Sequence, residues 1–90
     1  MNYKMTYSAA YSELILKIFD KMAKKEKRQL IVINEKINEI LANPYHFKPL
    51  RGDMKGSRRV HFGHFVMTFE IDEENKIVRF LDYDHHNKID

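Results

Sequence analysis

The segment from His46 to His61 holds the side chains that could bind a phosphodiester and move its protons. It has five basic residues and one acidic residue, so its net charge exceeds the +3 of the whole chain. A compact cationic patch is typical of proteins that neutralise phosphates, because binding releases the counterions condensed on a nucleic acid. We therefore expect a phosphate-rich partner, against the simpler alternative of a solvated basic loop. The basic residues are Lys48, Arg51, Lys55, Arg58 and Arg59.

The chemistry of these cations fits a phosphate ligand. The arginines present planar donor forks that match phosphate oxygens, whereas the lysines act as point charges. Gly52 and Gly56 leave room for backbone amides to approach the same phosphate. The predicted RNA- or phosphate-binding residues are Arg51, Lys55, Arg58 and Arg59.

Histidines are the second component of the pattern, because imidazole exchanges protons near neutral pH. His61 follows Arg59 at a spacing of two residues. If this stretch is a strand, both side chains project from one face. Arg58, Val60 and Phe62 then take the other face, and the two apolar members indicate that this is the core side. His61 is therefore a candidate catalytic residue.

His85 and His86, near the C-terminus, are candidates for a second acid or base. In RNA cleavage without a metal, the 2′-hydroxyl attacks the adjacent phosphorus, one group removes its proton and another protonates the leaving 5′ oxygen. This hypothesis requires His61 and one of the C-terminal histidines to reach a single pocket. A metal site built from Asp82, Asp84 and the two histidines is the alternative, but nothing else in the chain completes a ligand set.

Composition indicates one small ordered domain over residues 1–90. The chain has no cysteine, which excludes disulfides and thiolate metal clusters. No apolar run approaches the length that spans a membrane, and the N-terminus has no signal-peptide core. We expect a cytoplasmic protein that needs no cofactor or metal.

Two amphipathic helices should position the basic segment. Apolar residues recur at three- and four-residue spacing over residues 14–22 and again over 30–41. The charged run at 24–28 separates the two stripes. Asn43 precedes Pro44 and should end the second helix, because a residue before proline leaves the α region. The pattern predicts a helical hairpin.

Strand patterns flank this hairpin. Ser8 is the expected cap of the first helix, after a short strand, and a loop should cover residues 45–57 because Gly and Pro punctuate it. Gly63-His64 predicts a tight turn between two strands. The chain therefore predicts an α+β fold in which a helical hairpin covers an antiparallel sheet, in the order β-αα-βββ. The predicted strands are residues 2–7, 58–62, 65–72 and 77–83.

Taken together, these features resemble the RelE/ParE superfamily of toxins from type II toxin–antitoxin modules. The likeness covers nearly the whole chain and depends on the order and spacing of several motifs. They are Asn43-Pro44, Lys48-Pro-Leu-Arg-Gly52, Lys55-Gly-Ser-Arg-Arg-Val-His61, the aromatic strand that begins at Phe65, and Asp82-Tyr-Asp-His-His86.

The resemblance implies a fold like that of the microbial ribonucleases and an mRNA endonuclease that cuts in the ribosomal A site. It also implies a RelB-like antitoxin that wraps the toxin. The histidine-bearing, YafQ-like branch matches best. On that match Lys48, His61 and His85 occupy the catalytic positions, with His86 as the substitute for His85.

The chain departs from the family pattern at two places. Many RelE-like toxins have an arginine early in the strand that here begins Phe65-Val66-Met67, and an aromatic residue where this chain has Ile89.

The sequence leaves two other functions open. One is a ParE-like toxin that inhibits DNA gyrase without catalysis, and the other is a plain RNA-binding module.

Overall fold

The computed structural model describes residues 6–47 and 57–85. Lys48, Arg51, Lys55 and His86 lie outside these residues, and so does most of the predicted loop. Within them, one strand precedes the two expected helices in the chain and three strands follow them. The elements are β1 (Ser8–Tyr11), α1 (Glu13–Lys25), α2 (Lys27–Ala42), a 3₁₀ turn (Pro44–His46), β2 (Ser57–Phe62), β3 (Phe65–Asp72) and β4 (Ile77–His85).

The four strands form one sheet in the order β1-β4-β3-β2. The meander β2-β3-β4 is antiparallel, as predicted. β1, however, pairs with β4 in parallel, so the sheet is mixed rather than antiparallel. A parallel neighbour needs a long crossover, and the two helices supply it. The α+β class and the β-αα-βββ order are confirmed.

The first strand and the first helix cap differ from the prediction. Ser8 does not cap a helix, because it begins β1 and its amide donates to the carbonyl of Lys76. The cap is Ser12, whose Oγ accepts a hydrogen bond of 3.1 Å from the amide of Ile15. Ala9 and Ala10 favour a helix locally. Pairing with β4 overrides that preference.

The helices lie against one face of the sheet. The stripe of α2 is buried as predicted, whereas α1 buries Ile15 and Met22 and leaves Leu14 half exposed. The charged run is an elbow at Glu26, where the backbone leaves the helical conformation. Asn43 ends α2 as expected. No helix in the described ranges is both long and apolar enough to cross a membrane.

The core lies between the sheet and the helical hairpin. Phe69 and Phe80 are fully buried and face each other across β3 and β4, with ring centroids 5.9 Å apart. Val66 and Thr68, on the opposite face of β3, are buried too, so this strand is more enclosed than its alternating pattern predicts. Gly63 adopts a positive φ of 60° in the turn before β3, as a tight hairpin requires.

Candidate functional site

β2 places the predicted basic residues on two faces, as its sequence pattern indicates. Arg59 pairs with Thr68 and His61 pairs with Val66, so the two side chains share one face. Val60 and the following phenylalanine face the helices and are buried. The prediction that Arg59 and His61 project together is confirmed.

Arg59 and His61 line an open cleft at the edge of the sheet, between β2 and α2. The cleft has a volume of about 310 Å³. α2 contributes Lys36 and Glu39, which form an ion pair of 3.1 Å. The 3₁₀ turn contributes His46, so two histidines and two basic residues border the same space, together with Glu39. Such a cleft has groups of the types that hold a phosphate and transfer protons.

His46 is a residue that the sequence pattern did not single out. It follows the proline that ends α2, and only the 3₁₀ turn brings it beside β2. Its ring contacts that of Phe47 edge to face, with centroids 5.4 Å apart. The sequence showed only that a histidine stands at the boundary of the basic segment, and this position does not indicate which strand the side chain approaches.

Arg58 fixes the segment that carries His46. Its guanidinium donates a hydrogen bond of 2.6 Å to the carbonyl of Phe47 and lies over the ring of Tyr45, 5.1 Å from its centroid. These contacts use the helix-facing side of β2, away from Arg59. They indicate that Arg58 positions the 3₁₀ turn, whereas phosphate binding by Arg58 stays a prediction.

The turn is also held at Tyr45. The Tyr45 hydroxyl donates a hydrogen bond of 2.5 Å to Glu73, and the Tyr7 hydroxyl donates one of 2.7 Å to the same carboxylate oxygen. The hydrogen bond to Glu73 raises the pKa of Tyr45 to about 12. Hydrogen bonds from Lys76 and the two tyrosines lower the pKa of Glu73 to about 2. The cluster therefore keeps Glu73 ionised and the tyrosines protonated at neutral pH.

His85 does not share the cleft with His61. It lies opposite Phe65 in the β3–β4 ladder, whereas His61 is in line with Val66 and Asp84. Successive residues of a strand project to opposite faces, so His61 and His85 project from opposite faces. The intervening β3 separates their strands by two interstrand spacings, about 10 Å. The single pocket that the sequence hypothesis required from these two histidines is not formed.

The C-terminal acidic residues are divided in the same way. Asp82 and Asp84 alternate with Tyr83 and His85 along β4. Asp84 therefore projects from the face opposite His85. Within residues 6–47 and 57–85, no group of three metal-ligating side chains comes together.

Tyr83 lies between these two acidic residues in β4 and is buried. Burial raises the pKa of Tyr83, whose hydroxyl accepts a hydrogen bond of 3.1 Å from Gln29.

Comparison with known proteins supplies the family. The sequence model described as "ParE toxin of type II toxin-antitoxin system, parDE" matches residues 8–89. The chain belongs to this toxin family. The toxin is also 45% identical over 74 residues to the toxin candidate RelE4 of Methanocaldococcus jannaschii, a match that covers 81% of this chain and 79% of the relative.

Solved toxin structures share the fold. The toxin resembles the YoeB/ParE toxin from Agrobacterium tumefaciens with a TM-score of 0.80 and 14% identity, over 88% of this chain and 98% of the other. For the RelBE2 toxin–antitoxin complex of Mycobacterium tuberculosis the TM-score is 0.74 at 23% identity, over 88% and 96%. For YafQ of E. coli it is 0.60 at 21% identity, over 93% and 98%. The expected RelE/ParE superfamily is confirmed.

Proposed function

We propose that this toxin is a metal-independent endoribonuclease that cleaves mRNA on the ribosome in the cytoplasm and so inhibits translation. The observation that carries the proposal is the cleft in which His61 and His46 lie with Arg59 and Lys36. Two proton carriers and two cations at one strand edge form a set that phosphodiester cleavage can use. A toxin that acts only by protein contact has no need of such a set.

The cleft suggests a division of roles. Arg59 and Lys36 would hold the scissile phosphate and stabilise the charge that develops on it. One imidazole would remove the proton from the 2′-hydroxyl and the other would protonate the 5′ oxygen that leaves. Lys48, Arg51 and Lys55 precede β2 in sequence. Arg51 and Lys55 remain proposed contacts to the RNA, and Lys48 remains a proposed catalytic residue. His85 is less suited to this cleft, because it projects from the other face of the sheet, whereas His86 remains a proposed catalytic residue.

We also propose that a RelB-like antitoxin binds and neutralises the toxin. The solved relative from M. tuberculosis is a toxin–antitoxin complex. Both helices of this toxin leave large apolar side chains half exposed, and an amphipathic partner could cover such surface. These residues are Leu14, Leu16, Ile31 and Val32.

A second candidate function is inhibition of DNA gyrase without catalysis. The family description that matches this chain names the ParE toxin of parDE. The separation of His61 from His85 also removes one acid–base pair that favoured a nuclease. Under this alternative the basic residues would serve contact with gyrase or DNA.

Expression of the toxin alone, followed by mapping of transcript 5′ ends, tests the proposal. We expect cuts phased with codons inside reading frames. His61→Ala and His46→Ala should each lower cleavage by about 10²-fold or more, because general acid–base catalysis typically contributes that much. A chelator should leave the cleavage of purified, message-loaded ribosomes unchanged.

Asn34→Ala, which changes an exposed side chain on α2, is the control and should cleave like the wild type. Full toxicity of both histidine variants would contradict the nuclease proposal. If transcripts also stay whole while DNA breaks accumulate, and purified gyrase loses supercoiling activity, the second candidate is correct.

A further inference from the structure

A second cationic surface lies at the elbow between the two helices. The elbow run Lys24-Lys25-Glu26-Lys27-Arg28 has four basic residues and one acidic residue, all of them exposed. None of the four cations forms an ion pair or hydrogen bond with any other residue that the structure describes. The sequence pattern indicated only that this run separates two apolar stripes. That role does not account for its concentration of positive charge.

Aromatic rings lie beside this elbow, at the end of the sheet where β3 begins and β4 ends. The rings of His64 and His85 are parallel to within 5°, with centroids 6.1 Å apart. The rings of Phe65 and Tyr83 are parallel to within 2°, with centroids 5.2 Å apart. Phe65 also contacts His85 at 5.0 Å and is 38% exposed. The two rings are tilted by 56° to each other, so two parallel pairs meet in one partly exposed cluster, here called the ring stack.

The elbow borders the same cleft as two rings of the stack, those of Phe65 and Tyr83. This cleft is open, has a volume of about 660 Å³, and is lined by the whole elbow run together with Gln29, Phe62, Phe65 and Tyr83. The hydrogen bond from Gln29 to the Tyr83 hydroxyl ties the start of α2 to the stack. Four basic residues and three aromatic residues thus line one cleft.

This combination has a recognised ligand chemistry. Proteins that bind single-stranded nucleic acid combine a positive groove for the backbone with aromatic side chains on which bases stack. The core alone does not require Phe65 to be exposed, and it does not require four cations to lack an ion pair with the described part of the chain. A solvated charge run would not need to share a cleft with parallel rings.

We infer that the elbow and the ring stack form a second RNA-binding surface, distinct from the cleft of His46 and His61. The elbow cations hold phosphates of an unpaired segment, and Phe65, the exposed ring of this cleft, receives a base. The choice of RNA over other single strands rests on the proposed function. The segment belongs either to the message or to ribosomal RNA, which offer the same chemistry.

Binding of a fluorescein-labelled oligouridylate to the purified toxin, measured by anisotropy at several salt concentrations, tests the inference. The double variant Lys24→Gln/Lys27→Gln should bind about tenfold or more weakly. Its salt dependence should also be shallower, by about 0.7 in logarithmic slope for each lysine that contacted a phosphate. Phe65→Leu should weaken binding about tenfold, because a stacked base is lost while an apolar side chain remains.

The control is Lys17→Gln, which removes one positive charge from an exposed position of α1 outside this cleft. It is compared with the single elbow variant Lys27→Gln and should bind nearly as the wild type does. Circular dichroism verifies that all variants are folded. Equal affinity and salt slope in the elbow and control variants would overturn the inference, and so would an unchanged affinity of Phe65→Leu.

Two further measurements separate the RNA sources and the two proposals. If the elbow variant no longer co-sediments with message-free ribosomes, the surface binds ribosomal RNA. If the variant co-sediments normally but binds oligouridylate weakly, the surface binds the message. If transcripts stay whole in cells while the elbow variant still loses oligouridylate binding, the nuclease proposal fails and this surface stands.

Discussion

Ser12 determines where the first helix begins, and it does so through two hydrogen bonds of one hydroxyl. Its Oγ accepts from the amide of Ile15 and donates to the carbonyl of Leu81, 2.7 Å away in β4. The same side chain therefore satisfies a helix end and joins the helix to the sheet. Ser8, the cap that the sequence suggested, pairs through its backbone with β4 instead.

Replacement of Ser12 by alanine should lower the free energy of unfolding by about 1–2 kcal/mol, because loss of a helix cap typically costs that much. The measurement is urea denaturation followed by circular dichroism. Ser8→Ala is the matched control and should change stability by less than about 0.5 kcal/mol. Equal losses in the two variants would mean that Ser12 is not the cap.

At the scale of elements, the turn between β3 and β4 is a polar junction that holds separate parts of the chain. Glu73 binds Tyr7 before β1, Tyr45 in the 3₁₀ turn, and Lys76 in its own turn. The neighbouring Asp72 accepts hydrogen bonds from Asn75, which lower its pKa to about 2. The junction thus supports the turn that carries His46.

This junction predicts a loss of stability in acid. The pKa of Glu73 falls from its usual 4.5 to about 2 on folding. A lowered pKa in the folded state stabilises the protein above the unfolded pKa, and this contribution disappears as the pH falls through the folded pKa. The urea midpoint should therefore decline between about pH 5 and about pH 2. Glu73→Gln should make that decline shallower, although Asp72 still contributes.

Glu74→Gln is the control, because Glu74 is exposed and has no hydrogen bond or ion pair with residues 6–47 or 57–85. It should retain the pH profile of the wild type. The same slope in the Glu73 and Glu74 variants would show that the junction does not control the acid response.

For the whole molecule, stability depends on the layer between the sheet and the helices. Phe80 is fully buried there, stacks on Tyr11 with centroids 5.4 Å apart, and contacts Phe69. Replacement of a buried phenylalanine by alanine typically costs about 3–5 kcal/mol. Small domains have a total stability of about 5–15 kcal/mol. One such cavity therefore removes a large fraction of it.

Phe80→Ala should accordingly lower the urea midpoint sharply and approach the limit of folding at 37 °C. Leu16→Ala, at an exposed position of α1, should shift the midpoint little. The antitoxin, which stabilises whatever folded form it binds, should partly rescue the Phe80 variant. A midpoint as high as that of Leu16→Ala would mean that Phe80 is not central to the core.

Much of the fold could be predicted from local patterns. The stripe of α2, the Asn43-Pro44 helix end and the alternation along β3 are each patterns of residues that lie only a few positions apart. The periodicity of apolar residues indicates which face of an element is buried, and turn residues indicate where the element ends. For the same reason the common face of Arg59 and His61 followed from their spacing alone.

Contacts between distant segments required the tertiary structure. The sequence by itself determined the elements and the cationic segment, because each depends on neighbouring residues. Only the folded chain decided that β1 lies parallel to β4, that His46 lies beside β2, and that His85 projects from the face of the sheet opposite His61. Strand pairing and crossover connections join residues tens of positions apart, and no local pattern records which strand becomes the neighbour.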